Sequence, residues 1–149
     1  MIQIITVIMA LWLIMLLLAP IIVKSNNPLF EYTGAAVYFF ADPICHQLPE
    51  RSLSINNFPM PVCARCFAVY LGGFLIFLLA FIYRPVIQWP KKLYFYAGAF
   101  ILPEILLEHL NIYHNNFPLR LLSGFILGML LFRIVLEAIA QTKVLEKNG

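Results

Sequence analysis

The chain has 149 residues, 62% of them hydrophobic and 11% charged, with a mean hydropathy of +0.88. Soluble domains run at roughly 45–50% apolar and about 25% charged residues, so a single water-soluble core is excluded and the composition asks for lipid as solvent. The formal charge of +3 sits partly on loop lysines and arginines and forms no basic stripe, which argues against nucleic acid as a partner.

Ile2–Val23 is the first predicted span. It lacks a basic leader, and its apolar run exceeds the ~7–15 residues of a signal-peptide core. It therefore reads as a retained transmembrane helix, broken late by Pro20. Residues 29–44 are apolar and aromatic but carry Glu31 and Asp42. They fall short of the ~20 residues a span needs and read as an interfacial or re-entrant helix, closed at Asp42-Pro43. Pro49, Asn56-Asn57, Pro59 and Pro61 then predict an irregular stretch. Further spans are predicted at Val62–Tyr83, Leu93–Leu110 and Leu119–Ala140. The expected fold is an all-α integral membrane protein: one domain over residues 1–149, with four transmembrane helices plus a short interfacial helix.

Arg84, Lys91 and Lys92 lie in the loop between the second and third spans, and Lys143 and Lys147 in the tail, whereas residues 111–117 contain no Lys or Arg. The positive-inside rule places that loop and the C-terminus in the cytoplasm. The cysteine loop then lies on the extracytoplasmic side of a multi-pass cell-membrane protein. Lys24 runs against this orientation, and a five-span alternative, with residues 29–44 crossing, would put the N-terminus outside. In either case the start of span two, the end of span three and the start of span four share one membrane face.

The three cysteines sit on that face. Cys63-Ala-Arg-Cys66 has the spacing of metal and redox sites, and residues three apart at a helix start can point to one side. The helix N-terminus and Arg65 favour thiolate, the form that binds metal and attacks disulfides. Cys45 and His46 would complete a Cys3His shell for Zn2+ or a similar thiophilic ion. A thiol–disulfide role for Cys63 and Cys66, with Cys45 as resolving partner, and inert structural cysteines both remain open.

Glu104 and Glu108 share a face of span three, with His109 adjacent. Ionisable groups in a span cost about 2.5–3.5 kcal/mol each on the insertion scale and are functional candidates by default. The structural reading is a salt bridge from Arg120 to Glu104 or Glu108. The catalytic reading makes Glu108, Glu104 or His109 a proton acceptor for a metal-bound water. Arg51, Arg65 and Arg120 are candidate anion or charge partners. A transport or lipid-binding bundle lined by Glu104 and Arg120 is a third reading, and four short spans without a repeat would then require a homo-oligomer. Gly124-xxx-Gly128 and Gly72-Gly73 read as close helix packing. The small-molecule or lipid substrate cannot be read from these residues.

Cys45-His46-Gln47-Leu48-Pro49-Glu50-Arg51-Ser52, followed by Pro61-Val62-Cys63-Ala64-Arg65-Cys66, Tyr70 and Gly72, resembles the signature of a prokaryotic domain-of-unknown-function family of small multi-span membrane proteins. Arg120-xx-Ser123-Gly124-xxx-Gly128 is similar to that family's later Arg-xx-Thr-Gly-xxx-Gly element. Its Asp-Gly element in span three is not matched, and Glu108-His109 stands near that place. The resemblance implies that the Cys-His and Cys-xx-Cys positions form one unit; it implies no activity.

Overall fold

A computed structural model describes residues 2–25, 27–83, 89–110 and 117–148. Most of the chain is helical. Helix α1 spans Ile2–Ile22 and ends within a residue of expectation. Helix α2 spans Pro28–Ala41, with Asn27 as N-cap (its side chain accepts the Leu29 N–H at 3.1 Å) and Pro28 in the first turn, where a missing N–H costs nothing. It stops before Asp42-Pro43. At 1.5 Å per residue it is about 21 Å long, short of a ~30 Å hydrocarbon core. Gly34, Val37 and Ala41 are buried, while Tyr32, Phe39 and Phe40 lie exposed. Gly34 is packed so tightly on α1 that a Cβ would lie 3.0 Å from the Val23 nitrogen.

The expectation of an irregular stretch, and of a fold without strands, is corrected here. After a 3-10 turn at Pro49–Arg51 comes an antiparallel hairpin of β1 (Ser52–Ile55) and β2 (Phe58–Cys63). Asn56 and Asn57 connect the strands with φ of 52° and 61°, the left-handed pair that a two-residue hairpin turn needs and that Asn tolerates. With only two strands, Pro59 and Pro61 can sit in β2 without breaking a central ladder. Lys24 donates to the Asn56 carbonyl at 2.9 Å and stacks over the Phe58 ring. That contact gives the positive charge after α1 a structural task at the hairpin tip.

β2 runs directly into α3, Ala64–Tyr83, so the second span starts two residues later than expected. Helix α4 spans Lys91–His109, and α5 spans Phe117–Asn148. The α3–α5 contact is the closest in the bundle: a Cβ on Gly72 would lie 2.4 Å from the Phe125 carbonyl, and one on Gly128 2.2 Å from that of Val69. Trp12 of α1 meets Tyr70 of α3 edge to face, and α4 packs on α5 through Ala97, Ile101 and Leu130.

Among the described residues, three helices are long and apolar enough to cross a membrane: Ile2–Ile22, Ala64–Tyr83 and Phe117–Gln141. Helix α4, the expected third of four spans, carries Lys91, Lys92, Glu104 and Glu108 and does not reach that standard on composition. A core of Leu16, Val37, Ala41, Cys45, Met60 and Val62 joins α1, α2 and the hairpin at one end of the bundle. That core holds the cysteine loop in place.

Candidate metal centre

Each cysteine comes from a different element. Cys45 follows α2, its N–H bonded to the Ala41 carbonyl at 3.0 Å. Cys63 ends β2, and Cys66 lies in the first turn of α3. The strand-to-helix junction at Cys63–Ala64 turns both motif cysteines toward the loop, and the three sulfurs lie within 4.8 Å of one another. All three are free thiols. The Cys63 N–H donates to the Cys45 sulfur at 3.1 Å, and the Cys66 N–H to the Cys63 sulfur at 3.5 Å. Donation from the Cys63 side chain, then from that of Cys66, with the Cys63 N–H added, holds the Cys45 thiol well below the usual range against the effect of burial.

His46 does not join this group. It is exposed, and the residues whose ligand atoms converge are Cys45, Cys63 and Cys66. Consecutive residues of an extended loop point to opposite sides. The burial of Cys45, which is 7% exposed, turns its neighbour outward.

The loop is pinned by residues that spacing did not single out. Gln47, at φ 48°, donates from Nε2 to the Tyr38 carbonyl at 2.6 Å. The Tyr38 hydroxyl donates to the Pro59 carbonyl at 2.5 Å, and burial pushes that phenol up to about 12, so it stays a donor across the physiological range. Together they tie the cysteine loop, the end of α2 and the hairpin. Gln47→Ala is expected to cost about 1–2 kcal/mol, one hydrogen bond to a part-buried carbonyl. The check is a lower thermal midpoint together with faster alkylation of Cys45; an unchanged alkylation rate would show that Gln47 does not hold the loop.

A charge cluster adjoins the thiols through Arg65, which lies between Cys63 and Cys66. Arg65 Nη2 meets Glu104 at 2.7 and 2.8 Å and Glu108 at 2.6 Å. Arg120 Nη2 pairs with Glu108 Oε1. Arg51 approaches the same oxygen at 3.6 Å from the exposed side. Glu104, Glu108 and Arg120 are buried. The expected Arg120 bridge is therefore present, to Glu108. Arg65, read from the sequence as a charge partner of thiolates, pairs with both carboxylates. His109 ends α4, and its side chain lies outside the described residues, as do residues 84–88 and 111–116 of the connecting loops.

These features define a class: a helical membrane protein with a thiol cluster and a buried ion-pair network at one end of its bundle. The chain belongs to the family described as predicted membrane protein (DUF2085), which matches residues 45–134. The match covers both cysteine motifs and the Arg120–Gly128 element. An uncharacterized protein of Methanothermobacter thermautotrophicus is 51% identical over 39 residues, 26% of this chain and 35% of that protein. An uncharacterized protein of Methanocaldococcus jannaschii is 38% identical over 48 residues, 32% of this chain and 31% of that protein. The matched segments thus span about a third of the length of these relatives. No solved structure matches the chain.

Proposed function

We propose that the chain is a four-span membrane metalloprotein that holds one thiophilic divalent ion, zinc or a similar metal, on Cys45, Cys63 and Cys66. The observation that carries the reading is the convergence of three sulfurs from three elements within 4.8 Å. Tetrahedral zinc with Zn–S bonds of about 2.3 Å sets its sulfurs roughly 3.8 Å apart, a small contraction from that cluster. The fourth position belongs to water, or to His46 after its side chain turns inward. Three protein ligands and a replaceable fourth are the pattern of reactive rather than structural zinc. Glu108, Glu104 and His109 are the candidate proton acceptors for a metal-bound water, and Glu108 can serve only when Arg65 and Arg120 release it.

In this reading α4 also crosses the membrane, as the third of four spans. Its carboxylates are paired inside the protein by Arg65 and Arg120 rather than presented to lipid, the condition under which ionised groups are tolerated at depth. Nineteen residues cover about 28 Å. The basic residues after α3 and in the tail then lie in the cytoplasm, and the cysteines outside.

Elemental analysis of the purified chain is the test. About one zinc-class ion per chain is expected for a tris-thiolate site, lost in Cys63→Ser, with all three thiols becoming reactive after chelation. No metal, together with a reversible Cys63–Cys66 disulfide, would replace this conclusion with a membrane thiol–disulfide oxidoreductase. No metal and three inert thiols would leave the cysteines structural.

A further inference from the structure

The far end of the bundle holds a second ion pair, with a buried arginine, that thiol chemistry does not use. Arg133 lies about 20 Å further along α5 than Arg120, at 1.5 Å per residue. It is 2% exposed and pairs with Glu137 at 2.9 Å. Arg133 forms part of the wall of a cavity of about 310 Å³. The other walls are Ile76, Leu79, Ala80 and Tyr83 of α3, Leu136 of α5, and Trp89. Glu137 is not among them, so an occupant meets one cation in an otherwise apolar and aromatic chamber.

A further observation points to a ligand. Trp89 and Tyr83 are the residue types that mark headgroup depth, and α4 opens beside them on Lys91-Lys92. An aliphatic side chain at position 133 would fill such a chamber at lower cost than a charge. An anion that enters with an apolar tail would add a second counter-charge beside Glu137.

We infer that this cavity binds an anionic phospholipid of the adjoining leaflet, its phosphate on the Arg133 guanidinium and one acyl chain along Ile76, Leu79 and Leu136. Basic pockets between transmembrane helices recognise lipid headgroups in this way. The site is independent of the cysteine centre and stands whether or not a metal binds there.

The test is native mass spectrometry of the full chain released from nanodiscs of phosphatidylglycerol mixed with phosphatidylcholine. Preferential retention of phosphatidylglycerol is expected, reduced roughly fivefold by Arg133→Gln, the loss of one basic contact. Ala80→Phe fills the chamber and leaves the charge in place; it should abolish retention even if Arg133→Gln fails to fold. Equal retention of the two lipids, or full retention in Ala80→Phe, overturns the proposal. Displacement of the lipid by millimolar inorganic phosphate would overturn its lipid identity and assign the site to a free anion.

Discussion

Glu108→Ala should be the most damaging single charge removal in the chain, costing about 3–5 kcal/mol, the range for breaking a buried ion pair by deleting one partner. Glu108 is the carboxylate that three arginines reach, from the 3-10 turn, α3 and α5. Its removal leaves the Arg120 guanidinium, itself 4% exposed, without that counter-charge. Glu104→Ala should cost less, because Arg65 keeps Glu108 at 2.6 Å. The Arg51 contact contributes little, since Arg51 is nearly half exposed and 3.6 Å away. The double change Glu108→Leu with Arg120→Met should recover much of the loss, since a buried pair replaced by apolar groups of similar volume is often neutral. Thermal unfolding in detergent, with a cysteine crosslink between α4 and α5 to report docking, measures all four proteins. Equal midpoints for the Glu108 and Glu104 variants would remove Glu108 from the centre of the network.

The same network marks how far the sequence could be read. Glu104, Glu108 and Arg120 fall on one membrane face by loop length alone, and their pairing follows from the cost of leaving them bare. Arg65 escaped assignment to the carboxylates because its neighbours in sequence are cysteines. α5 packs against the backbone of Arg65 in the first turn of α3, and the Arg65 side chain reaches the carboxylates of α4. The apolar runs of α1, α3 and α5 announce themselves, and the Asp42-Pro43 stop bounds the end of α2 to within a few residues. The hairpin was hidden by Pro59 and Pro61, which suppress a strand signal although a two-stranded ribbon has free edges to receive them. Its legible trace was Asn56-Asn57 between Leu53, Ile55, Phe58 and Met60. His46 was grouped with the thiols by adjacency, and adjacency is what separates it from them: the loop buries Cys45 and turns the next side chain to solvent. Arg133 and Glu137 were passed over inside an apolar run, where a four-residue spacing of opposite charges was the available signal.

Gly124→Ala is the change expected to join the bundle's packing to the proposed metal centre. An ideal Cβ at Gly124 would lie 2.4 Å from the Arg65 carbonyl. That contact is backbone, so it cannot relax by rotating a side chain. The first turn of α3 must move, and that turn carries Arg65 and Cys66 and follows Cys63. Overpacking of this kind costs about 1–3 kcal/mol. A displaced ligand-bearing turn should also weaken metal binding by roughly the 10–100-fold seen when support around a ligand is lost. Gly128→Ala, against the Val69 carbonyl at 2.2 Å, meets the same backbone obstacle one turn deeper. It should lose comparable stability with a smaller effect on metal. Gly73→Ala meets the Phe132 ring, a side chain rather than backbone. Gly98→Ala meets nothing within 4 Å and should stabilise α4 by up to about 1 kcal/mol through helix propensity. Melting curves and competition with a chromogenic chelator rank the four variants. If Gly124→Ala melted with Gly98→Ala and kept its metal, the first turn of α3 would not be set by α5. The three sulfurs would then owe their convergence to the loop and hairpin alone.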